Sequence, residues 1–116
     1  MTTGVTTNTQ SVAAGILNHA TGVVVSDAGA ATGFTFTIGF IPRVIRWQNV
    51  TDSIMHEWYE GMTSPGAIKT LLAGTRSLET TNGITVGTAA AGTAGAFTVA
   101  AAIIIASKSF VWEAFG

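Results

Sequence analysis

The sequence predicts an all-β protein: a small antiparallel β-sandwich, jelly-roll-like, that associates with copies of itself. Three observations predict it. Short segments of alternating apolar and polar residues recur along the chain at a spacing of roughly 8–12 residues, the pattern of a sandwich or barrel. Thr and Gly dominate between and within them, one favouring extended backbone and the other punctuating turns. Charged residues make up 9% of the 116 residues, against about 25% in an ordinary soluble chain. A monomer surface so poor in charge tends to self-associate, so much of it is expected to be covered.

The elements follow in order. Residues 1–15, MTTGVTTNTQSVAAG, carry no charge and no firm strand period, and are expected to form an N-terminal arm ahead of a sandwich domain at 16–116. TGVVVS is a strand. GFTFTIGF is the cleanest one: Phe34, Phe36, Ile38 and Phe40 alternate with Thr35, Thr37 and Gly39, giving one apolar and one polar face. Pro42 ends it, because proline cannot donate to a ladder. RVIRWQNV follows, with Ile45 and Trp47 on one face, and NVTDS supplies turn chemistry. SIMHEWYE is a further strand, with Ile54, His56 and Trp58 on one face and Met55, Glu57 and Tyr59 on the other. AIKTLLAG fits a short helix or a strand, and Asn82-Gly83 is a turn signal. GITVGT and GAFTVAAAIII read as strands around a glycine-rich loop. SKSFVWEAFG closes the domain, with Phe110 and Trp112 sharing a face.

Composition excludes several functions. Five scattered basic residues and a net charge of −1 do not make a nucleic-acid surface. The charge-free stretch 80–107 holds only about a dozen strongly apolar residues, short of the roughly 20 a membrane helix needs, so no membrane partner is expected. There is no Cys, hence no disulfide and no thiolate metal site. HEWYE has a Glu where the second His of a zinc-protease motif would stand, so no metal is expected. Glu57 and Glu60 fall on opposite faces of a regular strand and do not converge on one bond. No phosphate loop, no nucleophile with an acid–base partner and no cofactor motif is present, so no catalytic or cofactor-binding residue is assigned.

The chemically capable residues crowd into 39–61, GFIPRVIRWQNVTDSIMHEWYEG, which holds five of the eleven charged side chains and the only Tyr. Around this stretch the chain resembles a group of small virion proteins of tailed bacteriophages. The resemblance rests on Gly39, Phe40, Pro42 and Arg43; on Asn49, Thr51 and Asp52; and on Glu57, Trp58, Gly61 and Met62. The ending is similar too, with Phe97, Phe110, Trp112, Ala114 and Phe115 in order, so the resemblance spans 33–116. It implies a structural β domain without catalysis, often trimeric, attached to the phage head or tail.

The expected role is therefore a capsid decoration or cement protein on the capsid surface of the virion. Its partners would be itself, as a homotrimer, and the major capsid protein or another virion protein. The alternative is a tail- or spike-associated adhesin or adaptor that binds host glycan or another tail protein. Phe40, Pro42, Arg43, Trp47, Asp52, Glu57, Trp58, Tyr59 and Trp112 are the expected frame and interface residues. Arg43 is expected to pair with Glu57 or Asp52. The arm at 1–15 is expected to order against another chain.

Overall fold

The computed structural model describes residues 2–3, 5–13, 18–62, 65–87 and 95–116. Its strands are β1 (Thr2–Thr3), β2 (Val5–Ala13), β3 (His19–Ser26), β4 (Ala30–Ala31), β5 (Phe34–Thr37), β6 (Val44–Asn49), β7 (Ile54–Tyr59), β8 (Gly66–Thr70), β9 (Arg76–Val86), β10 (Ala96–Val99) and β11 (Ser109–Phe115). There is no helix among the described residues. Nine strands form one sheet in the order β2-β3-β11-β6-β7-β8-β9-β10-β5, and every neighbouring pair is antiparallel. β1 and β4 form a separate short parallel pair.

The chain thus adopts the expected all-β antiparallel architecture, and its two layers are halves of a single curled sheet. The curl shows in the ring contacts. Phe36 on β5 lies five strands along the sheet from Trp47 on β6, about 24 Å if the sheet were flat. Their ring centroids are 5.4 Å apart. Phe97 on β10 and Trp112 on β11 are likewise 5.2 Å apart. The halves can close because two segments cross between them at opposite ends. Residues 38–43 run from β5 to β6, and residues 100–108 from β10 to β11.

The first crossing begins at Gly39, whose φ of +84° lies in the left-handed region that disfavours a side chain. The amides of Ile38 and Gly39 both donate to the Gly95 carbonyl. Pro42 is fully buried and has no amide to satisfy, and the Arg43 amide donates to Phe115. In the second crossing Ile103 and Ile104 turn into the core while Ile105 stays exposed. The apolar run AAAIII is therefore neither a strand extension nor a membrane helix. It caps one end of the domain from within.

Alternation decides what the curl encloses. Ala20 and Val24, Ile45 and Trp47, Trp58, Ile84, Phe97 and Val99, and Phe110, Trp112 and Ala114 are all buried, each strand contributing alternate residues. Phe34, Phe40, Met62 and Val86 pack against this cluster from its margin. Trp112 stands opposite Gly22 in the β11–β3 register, and its indole occupies the space that a Cβ at position 22 would need.

The sheet places three further segments, and at one of them the expectation is corrected. Val5–Ala13, within the expected arm, pair along β3, from Val5 opposite Ser26 to Ala13 opposite His19, with one bulge between Val5 and Thr7. Of the two readings of 67–74 the strand holds for 67–70, which lie in β8, and 71–74 form a tight turn. Asn82-Gly83 is not a hairpin turn. Ala67 pairs with Glu79 and Gly66 with Ile84, so 80–83 form a bulge within β9. The Glu79 carboxylate accepts from the amides of Thr81 and Asn82, so local hydrogen bonds replace the missing ladder. This also draws the Glu79 carboxyl below its ordinary pKa.

Gly22→Ala is expected to destabilise the protein by about 1–3 kcal/mol through overpacking against the indole. Urea unfolding followed by tryptophan fluorescence measures it. An unchanged midpoint would mean that the Trp112 ring does not rest on the Gly22 backbone.

Candidate functional site

The residues singled out in the sequence do not converge on one cleft. They divide among core, outer sheet face and one end of the domain. Trp47, Trp58 and Trp112 are 0%, 5% and 3% exposed, so all three serve the core and none offers a ring to a sugar. Phe40 is half-buried and Pro42 buried, both in the first crossing.

Arg43 does not pair as expected. Its nearest carboxylate is Glu60, with Nε to Oε2 at 3.7 Å and both side chains largely exposed. Such a pair contributes little, because water screens it. Glu57 and Asp52 have other partners.

On the outer face, register sets Glu113 opposite Arg46 and Arg46 opposite Glu57 across β11, β6 and β7. Arg46 reaches Glu113 at 3.1 Å, the Tyr59 hydroxyl donates to Glu57 at 2.6 Å, and Arg76 donates to Glu57 at 3.4 Å. His19 Nε2 lies 3.9 Å from Glu113, and its ring stacks on Phe115. Opposite charges on facing strands are the favourable cross-strand arrangement. The hydrogen bond to Glu113, then that to Tyr59, holds the Arg46 pKa above its ordinary value. The Tyr59 hydroxyl is raised, first by its bond to Glu57. Beside this row lies a shallow hollow of about 450 Å³, lined by Thr21, Val23, Gln48, Met55 and Val111 and rimmed by Arg46 and Glu113.

At the end of the domain that bears the β6–β7 turn, Asn49 is 3% exposed and acts as the hub. Its side-chain oxygen accepts from the amides of Thr51 and Asp52, and its amide nitrogen donates to Asp52. Asp52 also receives Lys108 Nζ at 3.1 Å, and Thr51 Oγ1 accepts from the Ser109 amide. Ser26, buried on β3, donates to the Ile105 carbonyl and accepts from the Lys108 amide. The Asn-x-Thr-Asp motif therefore ties the β6–β7 turn to the second crossing. Asn and Asp suit this work because their short side chains reach backbone amides two or three residues on.

His56 is 6% exposed on the core face, opposite Trp47 and beside Lys69. Its Nδ1 has no hydrogen-bond partner among the described residues. Burial, reinforced by Lys69 and partly opposed by Glu79, lowers its pKa to about 4. The imidazole is neutral at pH 7.

All six Asp and Glu side chains are occupied within the fold: Asp27 accepts from the Gly29 amide, and Asp52, Glu57, Glu60, Glu79 and Glu113 are paired as above. Among the described residues, no group of three or more His, Asp and Glu is placed to hold a metal ion, and no helix is long and apolar enough to cross a membrane. Sequence reasoning missed Arg46, Arg76, Lys108 and Glu113. Alternation puts Arg46 and Glu113 off the core face, but their pairing depends on β11 lying beside β6. No family model matches the chain, and neither a curated protein nor a solved structure is detectably similar to it.

Two outcomes follow. Asn49→Ala leaves two turn amides without their acceptor and is expected to cost about 1–3 kcal/mol, read from thermal or urea unfolding. Acid should destabilise the protein through His56. The unfolded histidine binds its proton near pH 6.5 and the folded one near 4, so this contribution is complete above pH 6.5 and is lost as pH falls toward 4. The loss amounts to about 3 kcal/mol. His56→Gln should flatten stability against pH in that window, and an unchanged slope would rule out this origin.

Proposed function

We propose that this chain is a non-enzymatic structural protein of a tailed-bacteriophage virion, specifically a capsid decoration or cement protein that binds the major capsid protein and further copies of itself. One observation carries the structural half of this reading: the residues with catalytic capacity are spent on the frame. Asp52 and Asn49 lock a turn, Glu57 and Tyr59 close an outer-face ladder, and the three tryptophans fill the core. What the molecule offers to a partner is sheet surface and strand edge.

The virion half rests on the resemblance, and the placement of its motifs supports it. Gly39, Phe40 and Pro42 build the first crossing; Asn49, Thr51 and Asp52 tie the turn to the second. Glu57 and Trp58 lie on opposite faces of β7, and Met62 folds back so that its sulfur accepts from the Tyr59 amide. A motif spread over the structural joints of a domain suits a family defined by its fold and assembly. The buried tryptophans weigh against a glycan-binding tail module, which needs exposed rings for stacking.

The test is binding to capsids. Purified protein mixed with expanded heads lacking it should cosediment saturably and protect the heads from heat or chelator. A stained gel of intact particles should show the chain in molar amounts comparable to the major capsid protein. Failure to cosediment, or a band at only a few copies per particle, would overturn the decoration reading.

A further inference from the structure

We propose that the outer edge of β2, unpaired among the described residues, is a self-association site, at which β2 of a second copy pairs antiparallel with it about a twofold axis. The inference is independent of the capsid assignment and concerns the chain in solution.

The curled sheet ends in two unlike edges. One is β5, four residues long; the other is β2, nine residues long. Among the described residues β2 pairs only with β3. Alternate amides and carbonyls along its other side therefore point away from the sheet, and each is a strong donor or acceptor. Natural sheets protect an edge of this length with lysines, proline or a covering segment. β2 has no proline and no charged residue, and apart from His19 no titratable side chain occurs before Asp27. The single bulge lies at its start, between Val5 and Thr7, and leaves 7–13 in unbroken register on β3.

The same features select the occupant. An antiparallel pair about a twofold sets residues of the strand opposite their own symmetry mates, so any charge near the axis would face its like. A strand without charge meets no such penalty. A strand of another protein that recognised this edge through charge would find nothing here to pair with. Length also discriminates, because β2 against β5 of another copy matches at most four residues, whereas β2 against β2 matches up to nine. Full overlap places Val5 opposite Ala13 and Thr9 opposite Thr9 on the axis. The two nine-stranded sheets then become one continuous sheet. A twofold contact doubles whatever assembly the other faces make, so the particle in solution contains an even number of chains.

The experiment uses the full-length chain. Sedimentation equilibrium should give an even multiple of the 11.9 kDa chain mass. Thr9→Lys sets two cations against each other across the axis and should halve that mass, with the far-UV circular dichroism unchanged. The chain has no cysteine, which makes crosslinking clean. Directly opposed residues have Cα atoms about 4.5–5.5 Å apart, within reach of a disulfide. Thr9→Cys should therefore oxidise to a covalent dimer, and Ala73→Cys at the exposed β8–β9 turn should not. A single-chain or odd mass overturns the proposal. So does an even mass that Thr9→Lys leaves intact, or a Thr9→Cys variant that crosslinks no faster than Ala73→Cys.

Discussion

The contact between the two halves of the sheet is the constraint on which the rest depends. Phe36 and Phe97 come from the β5–β10 edge, Trp47 and Trp112 from the β6–β11 half, and their rings meet at 5.2–5.5 Å. Phe110 continues the cluster against Trp47. Strands this far apart in sheet order meet only if the sheet curls through the β7–β8–β9 region. The curl in turn requires two crossings, one at each end. Large aromatic rings suit this join because each buries much area and accepts tilted or edge-on neighbours. Within the β3–β11 half, the Trp112 ring is accommodated because Gly22 opposite it has no side chain.

The polar chemistry is subordinate to that join. The Asn49, Asp52 and Lys108 network holds the second crossing over one end of the core, so Ile103 and Ile104 stay inside. The Glu113, Arg46, Glu57 and Arg76 row runs across the outer face of the same strands that carry Trp112, Trp47 and Trp58 inward. Core and surface are thus read from opposite sides of one set of strands. His56 is the exception, a titratable ring placed on the core side and kept neutral by burial. Beside this row the outer face exposes Val23, Val25 and Val111.

Much of the fold was legible because a strand's period of two is a local property. The inward faces of 34–40, 44–50, 54–59 and 109–115 all follow from alternation, and Pro42 and the Asn49 turn mark where segments end. The misreadings share a physical cause. Asn82-Gly83 is a local turn signal, yet whether it reverses the chain or bulges depends on the strand beside it, here β8. Sequence proximity offers Arg43 the carboxylates of Asp52 and Glu57, but the β6–β7 register sets it opposite Glu60. Residues 5–13 lack an apolar period, and a strand that gains its order from a neighbour's backbone needs none.

The sequence by itself determined the strand content, the inward faces and the poverty of charge, since these depend on residue type and on spacing along one chain. Tertiary structure alone decided that nine strands make one curled sheet, that β11 lies between β3 and β6, and which cations meet which carboxylates. The reason is that the last three are matters of pairing. Backbone hydrogen bonds are alike for every residue, so a strand's own sequence cannot specify its neighbour. That choice falls to the packing of Phe36, Trp47, Phe97 and Trp112 when the two halves close.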